Sequence, residues 1–142
     1  FRAVAGHLVD GARTAAAAGT DVVIVEGTGP VHLVYGMRRK AGTSHDEFSR
    51  FWEQQHTTVA KFTPGLAGYR QLHADPALSR AAADAAGVER CDVDGVALEW
   101  FAALPDFCSA VGAPVDFKQR AKSSEGQFND IQRATAIVVA SA

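Results

Sequence analysis

The sequence has little of what marks several common protein classes. Its two cysteines, Cys91 and Cys108, do not show the spacing of a metal site, so we interpret them as reduced thiols. No apolar run approaches the ~20 residues that a membrane span needs. Charges or glycines also interrupt the first residues too often for a secretory signal. We therefore predict a cytoplasmic protein with no membrane as its partner.

An excess of basic residues and the common cofactor motifs are also missing. The chain has 14 Lys and Arg against 16 Asp and Glu, for a net charge of −2. This balance argues against nucleic acid as a partner, because phosphate binding needs a basic surface. The sequence has no P-loop, no G-x-G-x-x-G and no G-x-S-x-G, and no residue spacing typical of zinc or non-haem iron. We expect neither a cofactor nor a metal.

What is present is the composition of an ordinary globular domain. The 142 residues are 47% apolar and 21% charged, and a chain of this length can bury a core without disulfides. We predict one main domain over residues 30–142, preceded by a helix-strand extension over residues 1–29. The extension is either a piece that pads the edge of the sheet or the tail of an upstream repeat.

The clearest local pattern lies between residues 31 and 73. Apolar residues alternate along residues 31–38, as in a strand. Ser44 and Glu47 then have the spacing of a capping box that opens a helix, and Pro64 and Gly65 end it. The predicted apolar stripe of this helix consists of Phe48, Phe51, Trp52, Gln55, Val59 and Phe62. A second strand is predicted over residues 68–73.

The rest of the chain predicts a second half of similar design. A polar excursion over residues 74–94 contains a short helix at 78–86, and a third strand covers residues 96–102. Two short helices follow, from Pro105 and over residues 115–122, and the last strand covers residues 131–140. We predict an α+β, ferredoxin-like βαββαβ fold, with a four-stranded antiparallel sheet and helices on one face.

The face of this sheet that the helices leave open is predicted to be apolar. Large apolar residues lie on both sides of the first, third and fourth strands. A monomer would expose them, and exposed apolar patches mark interfaces. We expect a homodimer in which the open sheet faces of two copies pack together.

Several separated motifs resemble the EthD-like domain family. They are GTSHDEFSRFW at residues 42–52, His56, PGLAGY at residues 64–69, Asp94-Gly95 ahead of the third strand, and EGQFND at residues 125–130. The resemblance implies a dimeric α+β barrel over about residues 31–140. The family includes lactone isomerases, polyketide cyclases, dehydratases and proteins linked to ether degradation. In the lactone isomerases, the histidine that matches His56 takes part in proton transfer.

His56 is the first candidate catalytic residue. It lies to one side of the helix's apolar stripe, at the edge of the predicted interface between helix and sheet. A neutral imidazole there can act as a general base or acid near pH 7. The alternative is a half-buried histidine that only forms local hydrogen bonds.

Glu99 and His73 are the further catalytic candidates. If Tyr69, Gln71 and His73 face the helices, they form a polar lining beside His56. A buried Glu99 without a partner would have a raised pKa and act as an acid. The alternative for Glu99 is a salt bridge on a neighbouring strand, with Arg38, Arg70 or Arg133.

The candidate ligand-binding residues are aromatic. We predict a cavity between the helix and the sheet, beside His56. Tyr35 and Tyr69 are predicted to direct their hydroxyl groups into it, and Trp52 and Trp100 to form its walls. At such positions the alternative is a simple core residue.

Two functions fit these residues. The first is a cofactor-independent isomerase, cyclase or dehydratase that moves a proton in a hydrophobic, oxygenated small molecule. The second is a non-catalytic, dimeric protein of a degradation pathway that binds a similar ligand.

Overall fold

The structure, a computed structural model, describes residues 14–140. Its strands are β1 (Ala15–Ala16), β2 (Gly19–Val25), β3 (Val31–Met37), β4 (Leu66–Ala74), β5 (Glu89–Arg90), β6 (Gly95–Phe101) and β7 (Thr135–Ala140). Its helices are α1 (His45–Phe51), α2 (Thr57–Ala60), α3 (Pro76–Ala86), α4 (Leu104–Val111) and α5 (Val115–Phe128). A π-helical turn at Trp52–His56 joins α1 to α2, and a 3₁₀ turn at Ile131–Arg133 precedes β7.

The main sheet is antiparallel, with strand order β2-β4-β6-β3-β7. Strand β6 lies between β3 and β4, which is the split arrangement of a ferredoxin-like fold. The predicted α+β, ferredoxin-like fold is confirmed. The sheet has one strand more than the four predicted, because β2 pairs along β4 from Gly19, opposite Ala74.

Several element boundaries differ from the predicted ones. Helix α5 continues to Phe128, six residues beyond the predicted end at Lys122. The last strand begins at Thr135, because the 3₁₀ turn occupies the residues before it. The helix of the predicted extension over residues 1–29 lies mostly outside the described residues. In its described part, Ala15–Ala16 is a strand that pairs with β5.

The excursion over residues 74–94 packs against the fold rather than lying outside it. The side chain of Asp75 caps α3 by accepting hydrogen bonds from the backbone N–H groups of Ala77 and Leu78, both at 2.8 Å. Ser79 is buried in this helix, and its hydroxyl bonds both the N–H and the carbonyl of Ala18 at 3.0 Å. The excursion thereby ties the chain before β2 to the domain.

The first helix begins at the predicted capping box, but it does not keep a regular α-helical period. Ser44 Oγ accepts from the N–H of Glu47 at 3.2 Å, and a Glu47 carboxylate oxygen accepts from the N–H of Ser44 at 2.8 Å, which completes the capping box. The π turn then takes up an extra residue.

This turn changes which side chains face the sheet. Phe48, Trp52, His56 and Ala60, each four residues after the one before, face inward. The predicted stripe assumed a regular helical period and was wrong at two positions. Gln55 and Phe62 are exposed, Phe62 to 66%.

The two faces of the sheet have different surroundings. Along β6, Ala97, Glu99 and Phe101 face the helices, whereas Val96, Leu98 and Trp100 face the other way, as the alternation predicts. The core on the helix side is aromatic and contains Phe48, Trp52, Tyr69, Phe101 and Phe128, all buried. None of the helices within residues 14–140 is long and apolar enough to cross a membrane.

Candidate active site between the helices and the sheet

A cavity of about 310 Å³ lies between the sheet and the segments that carry His56 and Glu125. Its apolar lining comes mainly from Leu33, Met37, Ala60, Ala97, Ala121 and Ala136. Its polar lining includes the two tyrosines Tyr35 and Tyr69, together with His56, Glu99 and Glu125. A mostly apolar cavity with a few convergent polar groups is the usual form of a small-molecule site.

The π turn places His56 at the wall of this cavity. The imidazole packs on the ring of Phe128, with 5.3 Å between centroids, and its Nδ1 lies 3.2 Å from Ser124 Oγ. Burial lowers the pKa of His56 below the ordinary value, and the negative charge of Glu125 opposes this only in part. The ring is therefore neutral at pH 7, and its Nε2 has no hydrogen-bond partner within residues 14–140.

Glu99 lies in the middle of β6 and faces the same cavity. Burial raises its pKa to about 7, and the nearby charge of Glu125 adds to the rise. Glu99 keeps some accessible surface because it lines the cavity, although protein surrounds it. Within residues 14–140 no hydrogen bond stabilises its ionised form. A large fraction of this carboxyl group is therefore protonated near neutral pH.

The salt bridge considered for Glu99 is not formed by any of the three arginines proposed for it. Arg38 and Arg133 both pair with Asp92, and Arg70 pairs with Asp21 at 2.9 Å. These ion pairs lie at the surface, on the other side of the strands or beyond their ends. Among the described residues 14–140, no cation pairs with Glu99.

Glu125 is the site residue that the sequence analysis missed. Its Oε1 accepts hydrogen bonds from the Tyr35 hydroxyl at 2.6 Å and from Asn129 Nδ2 at 2.7 Å. Burial raises the pKa of Tyr35, and the bond to Glu125 raises it further, so the phenol keeps its proton. Glu125 opens the EGQFND motif, and this signal was available, but the predicted helix ended at Lys122 and gave the residue no position.

Tyr69 belongs to a second polar group on the same side of the sheet. Its hydroxyl oxygen lies 2.9 Å from both Trp52 Nε1 and Gln71 Nε2. Gln71 Oε1 in turn lies 3.0 Å from His73 Nε2. Gly95 leaves the space that the indole ring of Trp52 occupies, since a Cβ at position 95 would lie 2.4 Å from this ring. A side chain at position 95 would displace the tryptophan that holds Tyr69.

The structure brings most of the predicted site residues together but not all of them. Tyr35, Trp52, His56, Tyr69 and Glu99 line one cavity. His73 lies outside this lining, packed at a tilt against Trp52 with 4.8 Å between ring centroids. It is connected to the cavity through Trp52 and through the hydrogen bonds of Gln71 and Tyr69.

Trp100 does not form a wall of the cavity, which corrects the expectation from sequence. It lies on the opposite face of the sheet, where its ring packs against His32 at 5.9 Å between centroids. The strand alternation that turns Glu99 toward the helices turns Trp100 away from them. Within residues 14–140, no group of three or more His, Cys, Asp and Glu side chains could hold a metal ion.

A second, wider cleft of about 640 Å³ lies beyond the carboxyl end of β3 and contains mostly charged residues. Three of its arginines form ion pairs, Arg38 and Arg133 with Asp92 and Arg39 with Asp94. These contacts tie the loops at this end of the sheet together.

Fold and site together define a class: a small ferredoxin-like α+β protein whose helices and sheet enclose a cavity lined by His56, Glu99 and Glu125. The model of the EthD domain family matches residues 40–132, more than half of the chain, and the chain belongs to this family. The resemblance seen in the sequence motifs is thereby confirmed. No curated protein matches the sequence.

Two solved structures are similar to this chain. An EthD (ethyl tert-butyl ether D) family protein from Bacillus halodurans superposes with a TM-score of 0.54 at 10% identity, over 79% of this chain and 98% of that chain. A proposed monooxygenase from Lactobacillus acidophilus gives a TM-score of 0.49 at 11% identity, over 84% of this chain and 48% of that chain. At 10% identity, the likeness to the first structure shows the fold alone.

Proposed function

We propose that this EthD-family protein is a small, cofactor-independent enzyme that moves a proton within a hydrophobic, oxygenated substrate, as isomerases, cyclases and dehydratases do. One observation carries the proposal. His56 and Glu99 line one cavity, and burial lowers the pKa of His56 while it raises the pKa of Glu99 to about 7. Opposite displacement of two pKa values in one site is the pattern of an acid and a base prepared for proton transfer.

The chemistry follows from these two protonation states. His56 Nε2 takes a proton from a carbon next to a carbonyl group, and the electron pair of the C–H bond moves onto the carbonyl oxygen. The protonated carboxyl of Glu99 donates a hydrogen bond to that oxygen as negative charge develops on it. Where a C=C double bond is attached to the carbon that lost the proton, the imidazolium returns the proton to the far end of that double bond. The C=O bond re-forms and the C=C bond shifts by one position, which isomerises the substrate without a co-reactant.

The lining of the cavity supports a hydrophobic substrate. Its apolar residues are small or flexible, and its volume of about 310 Å³ is at the lower end for small-molecule sites. We expect the cavity to enclose a molecule about the size of a lactone or of one aromatic ring with a carbonyl group.

The homodimer is a further part of this proposal. The sheet face away from the helices carries Val34, Val96, Leu98, Trp100, Ile137 and Val139. Ile137 is 62% exposed and Val139 48% exposed in the single chain. A second copy of the same face would cover this surface, as the dimeric α+β barrel implied by the resemblance requires.

The alternative is a protein that binds such a ligand without converting it. Binding alone needs the cavity, but it does not need an acid and a base whose pKa values are displaced. We propose to separate the two with 2-tetralone, a neutral aromatic ketone with acidic carbon-bound hydrogens, incubated with the protein in D₂O.

An enzyme accelerates the exchange of these hydrogens for deuterium over the buffer rate, which ¹H NMR follows directly. A protein that binds 2-tetralone but leaves the exchange at the buffer rate supports the binding protein and contradicts the enzyme. His56→Asn, discussed below, tests whether the acceleration comes from the imidazole.

A further inference from the structure

We propose that the phenol of Tyr69 is a fixed hydrogen-bond donor to the carbonyl oxygen of the ligand, and that the ligand is an uncharged carbonyl compound. The inference rests on the proposed function, because it names the substrate class of the same cavity. Its basis is which hydrogen bonds the hydroxyl groups of the two cavity-lining tyrosines donate and which they accept.

The oxygen of Tyr69 already accepts two hydrogen bonds. Trp52 Nε1 and Gln71 Nε2 each lie 2.9 Å from it, and the indole N–H can only donate. A phenol has one hydrogen and two lone pairs, so both acceptor positions are occupied. The hydrogen of Tyr69 is left to point elsewhere, and the open space next to this residue is the cavity.

The orientation of the Gln71 amide is determined by its other neighbours. Gln71 Nε2 lies 3.4 Å from the backbone carbonyl of Trp52, which can only accept. Gln71 Oε1 lies 3.0 Å from His73 Nε2, which donates when the proton is on that nitrogen. A flipped amide would set an oxygen against the carbonyl, so Gln71 donates to Tyr69. His73 and Gln71 are thus positioning residues.

Tyr35 has the opposite arrangement in the same cavity. Its hydroxyl donates to the Glu125 carboxylate at 2.6 Å, so its hydrogen is already used. Toward the cavity its oxygen can only accept. The two phenols therefore offer a ligand different groups, a donor from Tyr69 and an acceptor from Tyr35.

Glu99 is directly opposite Tyr69 in the pairing of β4 with β6. The Cβ atoms of such a pair are about 5 Å apart and on one face, so both side chains can reach one ligand oxygen. Because burial raises the pKa of Glu99 to about 7, its carboxyl supplies a second donor near neutral pH. Two donors aimed at one oxygen stabilise the negative charge that enolisation develops there.

The charges of the cavity select against an anionic ligand. Its lining within the described residues contains no lysine or arginine, and it contains the carboxyl groups of Glu99 and Glu125. A ligand carboxylate or phosphate would lose its hydration and meet a negative charge without a cation in return. The lining fits a neutral ligand with one carbonyl oxygen.

The test uses acetophenone as a neutral carbonyl probe and ethylbenzene as the same ring without the carbonyl. We expect the wild-type protein to bind acetophenone and to lower the frequency of its carbonyl stretch in the infrared spectrum. Tyr69→Phe should weaken acetophenone binding about tenfold and raise the stretch frequency, while ethylbenzene binding stays unchanged. Tyr35→Phe is the matched control and should leave the stretch frequency where it is.

A second variant tests the positioning role without removing the phenol. Gln71→Met leaves one acceptor position of Tyr69 free, so the hydroxyl can rotate and the carbonyl stretch should move toward its value in Tyr69→Phe. If Gln71 served only to fill space, this variant would keep the wild-type frequency, and the positioning role would be wrong.

Three results would overturn the proposal. They are no binding of acetophenone to the wild-type protein, a carbonyl stretch that follows Tyr35 rather than Tyr69, and tighter binding of benzoate than of acetophenone. His56→Asn should keep the wild-type stretch, because His56 is not one of the donors. Failure of the proposed proton transfer would appear in the deuterium exchange of 2-tetralone, a separate measurement.

Discussion

The two faces of the sheet are made by alternate residues of the same strands, yet they have opposite chemistry. On the helix side, Tyr35 and Glu99 lie in a cavity with displaced pKa values. On the other side, their neighbours Val34 and Trp100 belong to an apolar surface that no helix within residues 14–140 covers. The difference comes from what covers each face, since the strand backbone is common to both.

Carboxyl groups are buried on the helix side of the sheet, where a partner or a proton offsets the cost of their burial. A carboxyl group inside an apolar interior costs free energy unless it is protonated or paired. On the helix side, Glu125 is paired with Tyr35 and Asn129, whereas Glu99 is unpaired and takes up a proton instead. On the open face, Arg70 and Asp21 remain at the surface as an ion pair.

The largest effect is expected on the open face. Ile137 on this face and Val111 on α4 are both 62% exposed, which makes them a matched pair. The wild type should have about twice the 15.0 kDa mass of one chain in light scattering at micromolar concentration. A micromolar dissociation constant corresponds to about 8 kcal/mol of binding free energy. An aspartate buried in the interface should abolish dimerisation.

Ile137→Asp should therefore give the mass of one chain, and Val111→Asp should keep the dimer. A wild type that is monomeric at these concentrations would contradict the sheet-to-sheet interface. Equal behaviour of the two variants would place the interface elsewhere.

The next effect concerns the helix-side cavity. His56→Asn keeps a hydrogen-bonding side chain but cannot carry a proton, so we expect the rate of 2-tetralone exchange to fall by ~10²–10⁴-fold. His32→Asn, on the open face, should keep the rate. Melting temperatures of both variants should stay near that of the wild type. Full activity in His56→Asn would end the proposal of a general base.

A smaller effect is expected from Glu99→Gln on stability. The pKa of Glu99 is raised from 4.5 to about 7 in the folded protein, so the unfolded chain loses this proton at lower pH. Wild-type stability should consequently fall as the pH rises from 4.5 through 7. Glu99→Gln does not titrate and should be more stable than the wild type at pH 8, by about 1–3 kcal/mol.

Urea unfolding at pH 8 and at pH 4 measures this difference. The gain should be absent at pH 4, where Glu99 is protonated in both states. A gain of equal size at both pH values would mean that packing, and not the charge of Glu99, accounts for it.

The smallest effect is expected at a site far from either face. Ser44→Ala removes the side-chain half of the capping box and should cost about 1 kcal/mol of unfolding free energy. Ser123→Ala, an exposed serine inside α5, is the control and should cost nothing. Thermal unfolding of the two variants provides the measurement, and equal midpoints would show that the cap does not hold the helix.

Features that depend on neighbours in sequence were predictable. The capping box at Ser44 is a local pattern, and the two-residue alternation of a strand puts Glu99 and Trp100 on opposite faces of β6. Which of these two residues faces the helices was not predictable in this way. Both faces of β6 carry large apolar residues, so the pattern alone does not say which face is covered.

Features that depend on a change of helical period were also missed. The π turn at Trp52–His56 shifts the side chains after it, so the stripe expected to include Gln55 was wrong at that position. Intrinsic helix preferences do not distinguish a π turn from an α turn, and packing against the sheet selects it.

The sequence by itself determined the order of the main strands and helices, the EthD relationship and most residues of the site, although not Glu125. Only the tertiary structure decided their protonation. Glu125 lies 90 positions from its partner Tyr35, and Glu99 meets His56 only because β6 and the first helix pack on one cavity. A pKa depends on burial and on nearby charges, and both come from segments that are distant along the chain.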